Sequence, residues 1–204
     1  MVSMPRRSYQ HYCAIGRSLD IVGDRWSLLI ARELCGGPRR YSDLFADLPG
    51  ISTDVLAARL RELEADGVLT RRRVGPRASA SVYELTEHGQ SLRPVLAALA
   101  EWGRRDLGER GEKDAVRAHW LAFPLGGLLA GRVPTGVVNV HIGGEPPFHV
   151  VIGADEVTHH DGITDDAHTE VLMDLDTAIE VVRGERALAP DTAGVAWREL
   201  NPTR

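Results

Sequence analysis

The stretch from Val55 to Leu85 constrains the fold more than any other part of the chain. In VLAARLRELEADG (55–67), Leu56, Leu60 and Leu63 stand at i, i+4 and i+7, one face of a helix that must turn toward a core. At 100° per residue, Asp54, Ala57, Ala58 and Arg61 fall on the opposite side. Gly67 is the expected helix stop. Two short strand-like runs follow, Val68–Val74 and Ala80–Leu85, around a turn holding Gly75, Pro76 and Arg77. Arg71, Arg72, Arg73 and Arg77 crowd this hairpin, with no acid between Thr70 and Val82. A helix running into a basic hairpin is the arrangement of a winged helix-turn-helix. There the helix enters the DNA major groove and the hairpin reaches the flanking backbone. Such a surface attracts phosphate without any catalytic chemistry.

Upstream, Leu19, Val22, Trp26, Leu29 and Ile30 recur at helical spacing until Gly36-Gly37-Pro38 stops the run. Gly23 interrupts it, which predicts two helices meeting at Gly23-Asp24. Ser42 is the expected cap of a short helix, Asp43–Leu48, ending at Pro49-Gly50. Ser52 or Thr53 is the expected cap of the next. Downstream, Thr86 is expected to cap one longer helix with Leu92, Val95, Leu96, Leu99 and Trp102 as its apolar stripe. That stripe either fills the local core or pairs with a second subunit.

The formal charge of −5 over 204 residues argues against general affinity for nucleic acid, but the average hides an asymmetry. Residues 1–113 carry 18 basic and 15 acidic side chains, and residues 114–204 carry 6 and 14. Six of the eight histidines lie in the second segment. The contrast suggests two modules, with nucleic acid the natural partner of the first. No run of about 18 apolar residues predicts a membrane span, and MVSMPRRSYQHY lacks the apolar core of a signal peptide. Cys13 and Cys35 form no CxxC, so neither a disulfide framework nor a structural zinc site is indicated. The expected compartment is the cytoplasm.

The run from Cys13 to Gly103 resembles the HxlR family of bacterial transcription regulators, relatives of the MarR-type winged helices. The matching pieces are Cys13, GDRWSLLIARELCGGPRRYSDL, LPGIS, LAARLRELEADGVLTRR, VYELTEHGQSL and ALAEWG, in the expected order and spacing. Arg25 stands where the family usually has Lys before Trp, and the tip GPRASAS replaces a more proline-rich turn. The resemblance implies a homodimer on a roughly palindromic double-stranded DNA operator, acting as repressor or activator. By position, Ser52 to Arg61 form the recognition helix, with Thr53, Asp54, Ala57 and Arg61 near base edges. Arg39, Arg40, Arg73 and Arg77 fall to phosphate. Arg61 suits a bidentate contact to guanine, while Asp54 either meets a cytosine amino group or complements the helix dipole. Arg59, at the core flank, is open between an internal ion pair and a phosphate contact. Some members of this family are thought to sense oxidants through a cysteine near Cys13. A thiol at a helix N-terminus is more acidic and more reactive, so Cys13 is a redox-sensing candidate, the alternative being an inert residue.

After the polar, glycine-rich stretch at 106–113, taken as a linker between domains 1–105 and 114–204, the pattern changes. VVNVHI (137–142) and FHVVI (148–152) alternate as strands, with a hairpin signal at Gly143-Gly144. TEVLMDL (169–175) reads as a further strand. Asp176 is the expected cap of a helix, TAIEVVRGE, closed by Gly184. These elements predict a small α+β domain with a mostly antiparallel sheet and helices on one side. With the winged helix-turn-helix, the whole chain is expected to be α+β.

This order also resembles sterol-carrier-protein-type-2-like domains, with DLDTAIEVVRGE as the last element of the pattern. The resemblance implies an apolar tunnel that takes a lipid-like or other apolar small molecule and modulates DNA binding. Candidate lining residues are Phe123, Leu125, Leu128, Leu129, Val138, Val140, Phe148, Val150, Leu172 and Ile179, which otherwise fill a packed core. His159-His160-Asp161, with Asp155 and His168 nearby, raises a metal-dependent hydrolase as an alternative. Adjacent strand residues point to opposite faces, however, so the two histidines cannot share one ion without a bulge. No GxSxG, HExxH or phosphate-cradling glycine loop is present. The expectation is a regulator without cofactor, metal or catalytic residues.

Overall fold

The computed structural model describes residues 8–75 and 81–200. It is a mixed α+β structure with two compact units. The first holds the described residues up to Leu34 and Pro38–Gln90; the second holds Cys35–Gly37 and Ser91 onward.

The first unit opens with α1 (Ala14–Val22) and α2 (Ser27–Cys35). The chain breaks at Gly23, as its glycine predicts, and the Gly23 N–H closes α1 on the Leu19 carbonyl. A two-residue strand, β1 (Arg39–Arg40), leads directly into α3 (Tyr41–Asp47). The cap of α3 is therefore Arg40 rather than Ser42, because antiparallel pairing of β1 with Val82 and Tyr83 carries the chain to the helix two residues earlier than its side chains suggest. The Arg40 N–H donates to the Asp43 carboxylate at 3.1 Å.

Next come α4 (Thr53–Ala65), β2 (Leu69–Arg73), β3 (Ser81–Leu85) and α5 (Glu87–Gln90). Ser52 caps α4, its hydroxyl accepting from the Val55 N–H at 3.3 Å. Gly67 follows with φ +69°, a backbone state that only glycine adopts cheaply. Leu56, Leu60 and Leu63 are buried with Ile30, Leu34, Leu44 and Leu48. The three strands lie in the order β1-β3-β2.

The single long helix expected after Thr86 is two helices. Thr86 does cap the first, accepting from the Gly89 N–H, but α5 ends at Gln90 and α6 (Arg93–Arg104) starts afresh. Pro94 explains the break: it has no N–H to donate to Gln90, and its ring crowds that carbonyl.

The second unit contains α6, a 3-10 turn (Ala118–Leu121), α7 (Ala122–Ala130), β4 (Gly136–Ile142), β5 (Phe148–Ile152), β6 (Val157–Asp161), β7 (Thr169–Met173), α8 (Leu175–Arg183) and β8 (Val195–Glu199). Its sheet runs β6-β5-β4-β7-β8; β4 and β7 are parallel and the other neighbours antiparallel. Alternation turns Val138, Val140, Phe148, Val150 and Val171 to one face, where they pack with Leu125 and Leu129 of α7 and Val181 of α8. The cap of α8 is Asp174, not Asp176: its carboxylate accepts from the Thr177 N–H at 2.7 Å. Asp176 sits in the first turn, where it complements the helix dipole. Gly184 ends α8 with φ +80°. No described helix is long and apolar enough to cross a membrane.

Candidate nucleic-acid interface

The first unit presents the outward side of α4 beside the wing. Thr53, Asp54 and Arg61 are exposed and Ala57 is half-buried, as the helical phase of the buried leucines requires. Ser52 is exposed too, with its hydroxyl engaged in the cap. The start of α4 is tied to α3 by the Tyr41 hydroxyl, which donates to the Thr53 carbonyl at 2.8 Å. Arg61 has no ion pair among the described residues, so its guanidinium is available to an outside acceptor. Arg59 is different: it pairs internally with Asp24 and with Glu62, which settles its alternatives in favour of the ion pair. Asp54 lies in the first turn, where its charge meets the positive end of the helix.

The wing is an antiparallel pair in which Arg71 faces Tyr83, Arg72 faces Val82 and Arg73 faces Ser81. Strand alternation puts Arg71 and Arg73 on one side and Arg72 on the other. Arg71 lies over the Tyr83 ring, 5.9 Å from its centroid. Arg72 is held by Glu84 through two hydrogen bonds of 3.0 and 3.1 Å, which raise its pKa further. Arg73 is exposed and makes no ion pair among the described residues. On the other side of β3, Arg40 is exposed and Arg39 half-buried. Arg77, the remaining phosphate candidate, lies outside the described residues. The roles of Tyr83 and Glu84 escape inspection of composition. The signal that could have found them is hairpin register, which sets Tyr83 across from Arg71 and Glu84 across from Thr70, diagonal to Arg72.

A family model described as HxlR-like helix-turn-helix matches residues 21–110. An uncharacterised HTH-type transcriptional regulator of Synechocystis sp., sll1512, is 40% identical over 96 residues, which are 46% of this chain and 69% of that relative. The chain belongs to the HxlR-like helix-turn-helix family. YtcD of Bacillus subtilis, also an HTH-type transcriptional regulator, is 36% identical over 107 residues, covering 51% of this chain and 81% of YtcD. The crystal structure of a regulator titled ytcD is 34% identical, covers 48% of this chain and 99% of its own, and superposes with a TM-score of 0.45. This HxlR-like chain is thus a transcriptional regulator of the helix-turn-helix type and not an enzyme.

Cys13 is the N-cap of α1 and is exposed, while Cys35 is buried. The Gly16 and Ile15 N–H groups in the first helical turn favour the thiolate without forming a full cap hydrogen bond, so the Cys13 pKa lies below the usual thiol value.

In the second unit of this HxlR-like regulator, Leu125, Leu129, Val138, Val140, Phe148 and Val150 belong to the close-packed core, with Leu128 against it. Leu172 alternates with the core residues Val171 and Met173 and so turns to the opposite face of the sheet. Ile179 is half-buried on α8 and Phe123 half-buried on α7. His159 is buried on the helix-covered face; His160 is exposed on the other, its ring stacked on His149 at 5.2 Å. The two histidines diverge as strand geometry demands.

Proposed function

We propose that this regulator binds a specific double-stranded DNA operator in the cytoplasm as a homodimer, with α4 in the major groove and the β2–β3 wing on the flanking backbone. Arg61, with Thr53, Asp54 and Ala57, reads base edges from a helix that Ser52 starts. Arg39, Arg40, Arg73 and Arg77 take phosphates. The observation that carries this reading is the pairing pattern of the arginines: Arg59 and Arg72 are neutralised within the fold, whereas Arg61 and Arg73 keep their charge for an outside acceptor.

Dimerisation is supported by exposed apolar stripes. Tyr12, Ile15 and Leu19 stand out along α1 and the residue preceding its cap, and Val95, Leu99 and Trp102 along α6, with Trp102 72% exposed. Large apolar side chains at helical spacing on a solvent face, i, i+3 and i+7 in the first stripe and i, i+4 and i+7 in the second, mark a surface that another chain covers. The second unit adds control by binding a small apolar molecule.

The test is a mobility shift with DNA from upstream of the regulator's own gene, together with the mass of the species in solution. A selective shift at nanomolar protein that weakens steeply with salt, from a dimer, is the expected result. Absence of any selective shift over competitor DNA at low salt overturns the reading.

A second reading, favoured by the acidified and exposed thiol of Cys13, makes that residue the sensor of oxidants or electrophiles. Cys13→Ser then abolishes the response of DNA binding to peroxide and leaves the basal affinity unchanged. A full response in the serine variant overturns it.

A further inference from the structure

His159 is a buried polar side chain whose ring borders open space. The space is a cleft of about 330 Å³ in the second unit, bounded by α6, α7 and β6. Its walls are otherwise apolar or small: Pro94 and Ala97 from α6, Ala122 and Phe123 from α7, Val157 from β6.

His159 is 5% exposed and stands edge-on to Phe123, with ring centroids 4.6 Å apart. Its imidazole makes no hydrogen bond among the described residues, and neither ring nitrogen is closed off from open space. Burial holds the ring neutral, with its pKa lowered to about 3; Arg93, His160 and His119 act in the same direction and Asp161 acts against it. A buried polar group normally has a partner, so an unpaired one at the wall of a cleft marks a position for a ligand atom. A neutral imidazole carries one N–H and one bare nitrogen. A hydroxyl suits whichever of the two faces the cleft, since it accepts from the first and donates to the second.

The charged groups around the cleft are mixed in sign and already engaged or solvated. Arg93 donates to the Cys35 carbonyl at 2.5 Å and has further contacts within the fold. Glu101 is held by Arg104 at 2.9 and 3.0 Å, and Asp155 and Glu156 are exposed. Recognition therefore falls to the apolar walls and the imidazole rather than to a net charge. The volume is at the small end of the roughly 300–1,000 Å³ typical of ligand sites, enough for one ring with a hydroxyl rather than a sterol.

We propose that this cleft binds an uncharged one-ring hydroxyl compound, its hydroxyl on His159 and its apolar body against Phe123, Pro94 and Val157. The proposal rests on the reading that the second unit takes a small apolar molecule, and it adds where that molecule sits and which polar group recognises it.

The test is calorimetric titration of the full chain with phenol, with toluene of the same shape and benzoate as comparisons. Phenol binds, and benzoate binds at least about tenfold more weakly because its charge finds no free counter-charge in the cleft. In His159→Phe the affinity for phenol falls about tenfold while that for toluene does not fall. Because His159 also packs against Phe123, two further arms avoid that substitution. Phenol moves the imidazole nitrogen resonances of His159 in the wild type more than toluene does. Ala97→Leu fills the cleft from α6 and abolishes phenol binding while thermal unfolding stays cooperative. Tighter binding of benzoate than of phenol, undiminished phenol binding to Ala97→Leu, or equal effects of His159→Phe on phenol and toluene overturns the proposal. In the last case toluene binding by the wild type leaves the small-molecule reading standing. No binding of phenol or toluene also overturns the proposal, and if native mass spectrometry of the purified chain then shows no retained compound, the small-molecule reading falls with it.

Discussion

Glu84, on one strand of the wing, accepts two hydrogen bonds from Arg72 on the other, at 3.0 and 3.1 Å. One of three consecutive arginines is thus neutralised inside its own hairpin, and the basic run contributes less to DNA binding than its composition implies. Releasing Arg72 should add one phosphate contact. Glu84→Gln is expected to steepen the dependence of log K on log salt by about 0.9, and Arg72→Ala to leave it unchanged. Fluorescence anisotropy across a salt series checks both. A shallower slope in Arg72→Ala would show that Arg72 abandons Glu84 for phosphate.

Arg61 and Arg73 are both exposed but occupy different elements, and their loss should read differently. Arg61→Ala is expected to cost about 1–3 kcal/mol on the specific operator and little on random DNA, since a base contact discriminates. Arg73→Ala should weaken all sequences alike and make the salt slope shallower by about 0.9. Titrating each variant with operator and scrambled duplexes distinguishes the two patterns.

Ser52 supports α4 before it touches anything outside the protein. Ser52→Ala should destabilise the first unit by about 1 kcal/mol, and Ser52→Gly by only a few tenths. Urea unfolding measures this as a lower midpoint at unchanged slope. Equal stability of all three proteins would remove the cap from the account.

His159 makes the second unit sensitive to acid. Its imidazole takes a proton near pH 6.5 when unfolded but only near 3 when folded. Between those values the unfolded chain binds more protons, so stability falls as pH falls, by up to about 1.4 kcal/mol for each pH unit. The contribution is fully present above 6.5 and lost progressively toward 3. Comparing urea unfolding at pH 7 and pH 5 in wild type and His159→Gln isolates it: the variant should show the flatter dependence. Identical pH dependence in both would refute the assignment.

Much of the first unit was legible beforehand. The period of Leu56, Leu60 and Leu63 announced both α4 and its outward face, and Gly23 and Gly67 marked real ends. The cap of α3 was not legible, because Arg40 is placed by a strand pairing with residues some forty positions away. The expected single helix after Thr86 failed at Pro94, a local signal outweighed by an apolar stripe that continued past it. In the second unit, α7 went unanticipated: AFPLGGLLA carries a proline and two glycines, which argue against a helix in isolation. Packing reverses that, since Gly126 lets the helix approach Val157, where an added Cβ would lie only 3.1 Å away.

The sequence by itself determined what local physics controls: the phase of the recognition helix, the basic hairpin, the alternation of β4 and β5, and the opposite directions of His159 and His160. Only the tertiary structure decided which charges remain available and which are spent internally. In a string of letters Arg59 stays open between an ion pair and a phosphate contact, and Arg72 is one of three consecutive arginines. What sets them apart from Arg61 and Arg73 lies in Asp24 and Glu84, which reach them across the fold. Likewise, nothing local brings Arg93, Phe123 and His159 to one cleft. Side-chain period is a short-range property of the backbone, whereas ion pairing and cavities depend on distances that only the packed chain sets.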